Sequence, residues 1–224
     1  MEGKDLMSTT TTRFAGWPAE ATAFLTDIAD ANTAEFWAAN RERYEVAVRG
    51  PLRALVAELR EEFGELRIFR PNRDRRFRPD AEPYRIDAGA AGRTEGGTER
   101  SVVLSSQELA VRVGHYAFDG PQLRRYRAAI AGEPGADLER VLAGLGEGLA
   151  LGEVPALARA PRGVAADHPR LGLLRLRALH VGRNWQVGSW LATPEPLARV
   201  AAAWRAAAPV AEWLDANVGP PAPH

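Results

Sequence analysis

The chain contains no cysteine, a single lysine and four histidines among its 224 residues. Without cysteine it can form no disulfide, no thiolate nucleophile and no cysteine-ligated metal site, which fits a reducing compartment such as the cytoplasm. The formal net charge at pH 7 is zero, because 29 basic residues balance 29 acidic ones. A neutral chain has no overall attraction to nucleic acid or to anionic membranes, so any such binding has to come from a local patch.

Long apolar runs are missing as well. No stretch reaches the roughly 18 apolar residues that a membrane-spanning helix needs, and Met1 to Thr12 lacks the apolar core of a signal peptide. We therefore expect no membrane segment and a cytoplasmic location, with a disordered tail over residues 1–13 and a flexible end over 219–224. The length and the 46% hydrophobic content predict one globular domain over residues 14–218.

The spacing of apolar residues predicts helices at both ends of the chain. Pro18 suits a first helical turn and begins a helix that runs to about residue 30. Thr33 caps a second helix, which Gly50-Pro51 is expected to interrupt before the apolar stripe resumes. Four more helices are predicted, from Pro121, over about 138–145, over about 197–204 and over about 210–216.

The middle of the chain favours strands. Residues 66–69 indicate a short strand, and alternating apolar residues over 102–104 and 109–113 indicate a hairpin. A further strand is predicted over about 174–183, and the four glycines within 89–97 predict a mobile turn region. These elements predict an α+β fold, a single domain with helices at both ends packed around a central, mostly antiparallel sheet.

Residues 67–85 are the most distinctive segment of the chain. Seven of the 28 arginines fall within these 19 residues, where uniform scatter would place about two. The single lysine and the abundance of alanine, glycine and proline suggest a GC-rich bacterial genome, so the choice of arginine over lysine carries little information. The clustering does carry information. Prolines at positions 71, 79 and 83 prevent a regular helix here, so the segment is predicted to be mostly loop or edge strand.

One interpretation of this segment is an anion pocket. Guanidinium groups form bidentate pairs with phosphate or carboxylate, and four arginines are candidates for this role: Arg70, Arg73, Arg76 and Arg85. Tyr84 and Phe77 lie among them and could stack on the ligand.

Other interpretations stay open at this point. The acids Asp74, Asp80, Glu82 and Asp87 lie among the arginines and could neutralise them in an internal salt-bridge network, with Arg73 pairing to Asp74 and Arg76 to Asp80. The charges could also form a simple solvated face, although the interleaved aromatics and prolines argue against it. A hydrolase would need a facing pair of carboxylates, for which only Asp74 with Asp80 or Glu82 is placed, or a divalent ion held by the same acids.

The histidines do not predict a metal site. His115, His168, His180 and His224 show neither H-x-H nor H-E-x-x-H spacing, although His115 and His180 could meet on neighbouring strands. We predict no bound metal and no cofactor, and no motif identifies a reaction.

An ordered set of residues resembles a known family. Within the arginine-rich segment the set consists of Phe69-Arg70, Arg73-Asp74, Arg76-Phe77, Asp80 and Pro83-Tyr84. Elsewhere it consists of Phe36-Trp37-Ala38-Ala39-Asn40, Tyr44, Gly114, Tyr116, Leu123, Ala160-Pro161-Arg162-Gly163 and Leu173-Leu174-Arg175-Leu176. These residues are similar to the signature of a mainly bacterial family, domain of unknown function 2461, over about residues 14–217. The resemblance implies no activity, cofactor or substrate.

The chain departs from the family pattern at three places. The family commonly has lysine after the aspartate and after the tyrosine, whereas this chain has Ala81 and Arg85. The usual Trp-Phe order is reversed in Phe36-Trp37. The lost cation at Ala81 slightly weakens the case for an anion pocket, while Arg85 keeps a charge at its position.

The sequence therefore predicts binding of a small ligand that bears a phosphate or another anionic group. The predicted ligand-binding residues are Arg70, Arg73, Asp74, Arg76, Tyr84 and Arg85. The alternative is a non-catalytic structural or protein-interaction module in which the same segment is an internal salt-bridge network. Nucleic acid is a disfavoured ligand, because one short basic segment on a neutral chain leaves little positive charge for following a phosphate backbone.

Overall fold

A computed structural model describes residues 13–76 and 80–222. Residues 1–12 of the predicted tail, Phe77 and the last two residues of the predicted flexible end lie outside the described residues. Within the described part of the chain, no helix is long and apolar enough to cross a membrane.

The N-terminal third is helical, as predicted. Helix α1 spans Ala19–Asp30 and helix α2 spans Ala34–Tyr44, where the Thr33 hydroxyl caps α2 by accepting a hydrogen bond from the Phe36 N–H at 3.1 Å. A π-helical turn, Glu45–Arg49, leads directly into α3, Gly50–Phe63.

The predicted interruption at Gly50-Pro51 is wrong, because helical geometry continues through it. Pro51 falls in the first turn of α3, where its missing N–H would have no helical partner in any case. The π-helical turn before it adjusts the hydrogen bonding, with the Gly50 N–H bonded to the Glu45 carbonyl.

One six-stranded antiparallel sheet forms the centre of the molecule. Its strands are β1 Arg67–Ile68, β2 Ala88–Arg93, β3 Glu99–Leu104, β4 Glu108–His115, β5 Ala150–Leu151 and β6 Leu179–Gln186. They lie in the order β1-β2-β3-β4-β6-β5. The predicted hairpin corresponds to β3 and β4, and the short strand predicted at 66–69 corresponds to β1.

Two predictions in this region were wrong. The glycines of 89–97 do not all mark a turn, because only Gly96 and Gly97 lie in the turn between β2 and β3, whereas Gly89 and Gly92 lie within β2. A Cβ atom at either position would overlap a backbone carbonyl oxygen, of Val102 or of Glu65, so these glycines allow close packing of the backbone. The strand predicted over 174–183 begins only at Leu179 in β6, because Leu174 ends a short helix, α6, Leu171–Leu174.

The remaining helices follow the sheet hairpin and close the chain. They are α4 Gly120–Ala131, α5 Glu133–Ala143, α7 Glu195–Ala206 and α8 Ala208–Asn217. Asp119 caps α4 in a reciprocal capping box with Gln122, which explains why this helix begins at Gly120-Pro121. One hydrophobic core contains side chains from Phe14 to Val218, so the chain forms a single α+β domain.

Side chains alternate between the two faces of the sheet. Val102, Val111 and Val113 lie on one face and are buried in the core. The opposite face, which we call the polar face, carries one residue from each strand in a continuous row of paired positions: Arg67, Ala91, Ser101, Arg112, Gly182 and Ala150. Distant parts of the sequence are thereby brought side by side on this face.

Candidate functional site

The arginine-rich segment folds back on itself as a closed loop. Asn72 and Tyr84 form an isolated antiparallel bridge. The Arg73 N–H donates to the Pro83 carbonyl and the Arg85 N–H donates to the Pro71 carbonyl, each at 2.8 Å. We call residues 71–85 the arginine loop. These hydrogen bonds fix both ends of the loop although its prolines exclude a regular helix.

Asn32, just beyond α1, anchors the loop to the helices. Its side-chain oxygen accepts a hydrogen bond from the Tyr84 N–H at 2.9 Å, and its amide nitrogen donates to the Tyr84 carbonyl at 3.0 Å. The same amide nitrogen lies 3.3 Å from the Glu82 carboxylate. Asn32 therefore satisfies both backbone groups of Tyr84, as a neighbouring strand would.

A cleft of about 550 Å³ lies between the base of the arginine loop and the β1 edge of the polar face. We call it the arginine cleft. It is lined by Arg67, Ile68, Phe69, Arg70, Asn72, Arg73, Asp74, Arg85, Ala91, Arg93 and Glu99. Four of the six predicted site residues, Arg70, Arg73, Asp74 and Arg85, are therefore brought together here.

Tyr84, another predicted site residue, is buried and belongs to the core. Only 8% of it is exposed, and it does not line the arginine cleft. Its ring stacks on Trp37 instead. The position of Tyr84 therefore does not support a role in ligand stacking. Phe77, the other predicted stacking residue, lies outside the described residues.

The lining arginines differ in how they are held. Among the described residues, no carboxylate lies within ion-pair distance of Arg67 or Arg70. Arg73 donates through Nε to the Tyr84 carbonyl at 3.2 Å. Arg85 pairs with Asp87 at 2.5 Å, and its guanidinium lies over the Phe69 ring, 4.7 Å from the centroid. The cleft thus contains both engaged cations and cations that have no carboxylate partner in the described ranges.

The two carboxylates of the arginine cleft have different environments. Asp74 pairs with Arg76 at 2.5 Å, and this hydrogen-bonded contact lowers the pKa of Asp74 below its ordinary value. Glu99 lies 3.7 Å from Arg93, but burial outweighs that contact and raises the pKa of Glu99. Asp74 is therefore a firmly ionised acid, whereas Glu99 takes up a proton more easily.

Arg76, the sixth predicted site residue, lies outside the cleft. Its side chain is 79% exposed and its partner Asp74 is 54% exposed, so the pair is a surface ion pair. An internal network was expected to pair Arg73 with Asp74 and Arg76 with Asp80. Arg73 instead donates to the Tyr84 carbonyl, and Arg76 pairs with Asp74.

Sequence reasoning missed two charged residues of the cleft, Arg93 and Glu99. They lie at the ends of β2 and β3 and pair directly with each other across those strands. Arg67 belonged to the arginine-rich segment but was not chosen, and the register of β1 with β2 places it beside Ala91 on the polar face. The available signal was a charged residue at the end of β2 and another at the start of β3, but its use requires knowing how these strands pair.

Further polar residues continue along the same face. The Ser101 hydroxyl and the Tyr116 hydroxyl are 2.6 Å apart, and the Tyr116 ring lies 5.0 Å from the His180 ring. His115 does not meet His180, because β4 and β6 pair Gly114 with His180 and so direct the two histidines to opposite faces. Among residues 13–76 and 80–222, no three histidine or acidic side chains are grouped as metal ligands would be.

The comparisons with known proteins agree with the resemblance found in the sequence. The family described as "Conserved hypothetical protein (DUF2461)" matches residues 20–213. That range includes every strand of the sheet, the arginine loop and the whole lining of the arginine cleft. No curated protein matches the chain. Because the match covers most of its length, the chain belongs to the DUF2461 family.

Proposed function

We propose that the protein binds a small ligand carrying a phosphate or a similar compact anion in the arginine cleft. One observation carries the proposal, the excess of positive charge around the cleft. Of the residues that the structure describes, five arginines and two carboxylates line it, and one of those carboxylates, Asp74, is already paired with Arg76. A cleft with unpaired guanidinium groups favours an anionic occupant.

The arrangement suits a phosphate bound from two sides. Arg67 and Arg93 come from the sheet, whereas Arg70, Arg73 and Arg85 come from the arginine loop or the residues leading into it. Each guanidinium presents a planar fork of donors that can bind two oxygens at once. Arg67 and Arg70, which have no carboxylate partner among the described residues, are the expected primary ligands of the anion.

Phe69 gives the cleft an apolar wall. Its ring lies under the guanidinium of Arg85, and Ile68 and Ala91 extend the apolar surface. Such a wall can bind the sugar or base of a phosphorylated metabolite while the arginines bind the phosphate. The stacking role expected of Tyr84 is therefore better suited to Phe69.

The loop is held in place before any ligand binds. Asn32 fixes the backbone of Tyr84, and Tyr84 in turn stacks on α2 through Trp37. A preorganised site loses less conformational entropy on binding, which supports a binding function for these arginines.

The alternative function is a non-catalytic structural or interaction module. Arg73 and Arg85 favour it, because one donates to the backbone of the loop and the other pairs with Asp87 at its base. In that case the arginines would hold the loop and no small anion would bind selectively. The cytoplasmic location and bacterial origin expected from the sequence stay predictions under both functions.

The two functions are separated by calorimetric titration of the full chain with pyrophosphate and with AMP at low salt. We expect saturable binding that weakens as salt is added. The double variant Arg67→Gln/Arg70→Gln should bind at least about tenfold more weakly, because each charge-assisted hydrogen bond contributes roughly 1.5–3 kcal/mol. Its melting temperature should equal that of the wild type, since neither arginine has an ion-pair partner among the described residues.

Arg53→Gln is the matched control. Arg53 is an exposed arginine on α3 that pairs with Glu45 and does not line the arginine cleft. Its replacement removes one positive charge, half of what the double variant loses, and should leave the affinity unchanged. No saturable binding of either ligand by the wild type would instead support the structural module. A short oligonucleotide included in the series tests whether a nucleic-acid backbone binds better than a single nucleotide.

A further inference from the structure

A second cleft lies on the same polar face, at its opposite edge. It has a volume of about 500 Å³ and lies where β6 meets the segment carrying β5. We call it the Arg112 cleft, after one of the two arginines that line it among the described residues. The other is Arg183, and His180, Glu153 and several glycines also line it. It shares no lining residue with the arginine cleft, so ligand binding here is independent of the function proposed for that cleft.

Arg112 is held by two backbone carbonyls and has no carboxylate partner in the described part of the chain. Its Nη1 donates to the Val111 carbonyl at 2.8 Å and to the Arg183 carbonyl at 3.3 Å. Within the described ranges no carboxylate lies within ion-pair distance of this guanidinium, and its Nε and Nη2 make no hydrogen bond. A fixed fork with open donors is suited to an oxyanion.

Gly182 makes room for this arrangement. It pairs with Arg112 across β4 and β6, and a Cβ atom there would come within 3.0 Å of Nη1. The arginine side chain therefore lies across the backbone of β6, where any larger residue would displace it. This glycine sets the position of the guanidinium within the cleft.

His180 adds a neutral polar group beside the cation. It is only 8% exposed, and Gly152 packs directly against its Nε2. Its buried Nδ1 has no hydrogen-bond partner among the residues that the structure describes. Burial, assisted by the charge of Arg112, lowers the pKa of His180, so the ring is neutral at neutral pH. The ring lines the cleft beside Gly152, so a neutral imidazole with its proton on Nε2 has one N–H donor for a ligand.

We propose that Arg112 and His180 form a second binding subsite for a single oxyanion group, the carboxylate or phosphate of a small metabolite. Arg112 binds the anion through its open donors, and His180 orients it with one hydrogen bond. Glu153 on the same lining repels added negative charge, so a singly charged carboxylate binds more tightly than phosphate.

The test is an NMR titration of the full chain with sodium acetate and with sodium phosphate, each at constant ionic strength set by sodium chloride. The probes are the imidazole signals of His180, identified through His180→Gln, and the guanidinium signal of Arg112. We expect saturable shifts of both probes with at least one of the two anions, with acetate favoured. Arg112→Gln should weaken binding by about tenfold or more, because it removes the charged fork.

Arg93→Gln is the control on the same face. Arg93 lines the arginine cleft, and its replacement should leave the acetate affinity of the Arg112 cleft unchanged. Arg112→Lys keeps the charge but loses the planar fork of donors, and it should weaken acetate binding about threefold or more. This variant still tests the role of Arg112 if Arg112→Gln does not fold. Shifts that chloride reproduces, shifts that do not saturate, or equal affinity in the Arg112 variants would overturn the subsite.

Discussion

Tyr84 stacks on Trp37, with the ring centroids 4.7 Å apart and the ring planes 13° from parallel. Trp37 also contacts the rings of Phe24 and Tyr44, so one residue of the arginine loop is part of an aromatic cluster built by α1 and α2. The loop is therefore held by the hydrophobic core as well as by hydrogen bonds. Its position depends on residues that never contact the cleft.

Replacement of Tyr84 by alanine should destabilise the fold. Loss of a buried aromatic ring leaves a cavity and typically costs about 3–5 kcal/mol of unfolding free energy. Tyr84→Phe keeps the stacked ring and should cost less than about 1 kcal/mol. Urea unfolding of both variants checks this. Equal stability of the alanine variant and the wild type would show that the stacking on Trp37 contributes little.

The Asn32 anchor can be tested separately from the ring. In Asn32→Ala the Tyr84 N–H and carbonyl lose their side-chain partner, and we expect a loss of about 1–3 kcal/mol. Hydrogen exchange of the Tyr84 amide should become faster, because that N–H is no longer protected. Asn32→Asp keeps the acceptor for this amide and should preserve more of the protection. If exchange is unchanged in Asn32→Ala, the anchor is not needed.

Arg76→Ala should leave the stability almost unchanged. The ion pair of Arg76 with Asp74 is on the surface, where solvent screens it and side-chain entropy opposes it. Thermal unfolding should give a melting temperature equal to that of the wild type. A large fall in melting temperature would contradict the exposed position of this pair and would favour an internal network. Arg53→Ala, in another exposed pair, provides the comparison.

Acidification should weaken the fold through two buried histidines. Burial lowers the pKa of His115 and of His180 below the ordinary value of about 6.5. At His115 the charges of Asp215 and Asp119 oppose this shift, whereas the charge of Arg93 adds to it. Below about pH 6.5 the unfolded chain therefore binds more protons than the folded one. Stability from these groups is complete above about pH 6.5 and is lost as the pH falls from there through the folded pKa values.

The histidine effect is measured by urea unfolding at a series of pH values between about 7.5 and 5. Each histidine can contribute a slope of at most about 1.4 kcal/mol per pH unit. The double variant His115→Gln/His180→Gln should show a flatter dependence than the wild type across this range. NMR signals of His115 and His180 that titrate at or above about pH 6.5 would contradict the prediction.

Much of the fold could be predicted from short-range patterns. The helix beginning after Pro18, the Thr33 cap and the β3–β4 hairpin depend on residues close together in the sequence, and each is present. The family resemblance was confirmed for the same reason, since an ordered set of residues can be recognised without coordinates. The errors at Gly50-Pro51 and at residues 89–97 arose where local composition suggested a break but the folded chain continues a helix or a strand.

The candidate site was only partly predictable. Clustering of arginines identified Arg70, Arg73 and Arg85, which line the cleft, but it also selected Arg76, which does not. Tyr84 is an aromatic residue among cations, as a stacking residue would be, yet its ring is buried against Trp37. No local pattern distinguishes these cases, because the direction of a loop side chain depends on contacts with distant elements.

The sequence by itself determined most of the helices, the hairpin, the neutral overall charge and the concentration of arginines in one short segment. These properties follow from the periodicity and composition of neighbouring residues. The tertiary structure alone decided that Arg93 and Glu99 join the arginine cleft and that Arg112 and His180 share another. Both clefts depend on which strands are neighbours and in which register they pair, and those are set by hydrogen bonds and core packing between residues far apart in the chain.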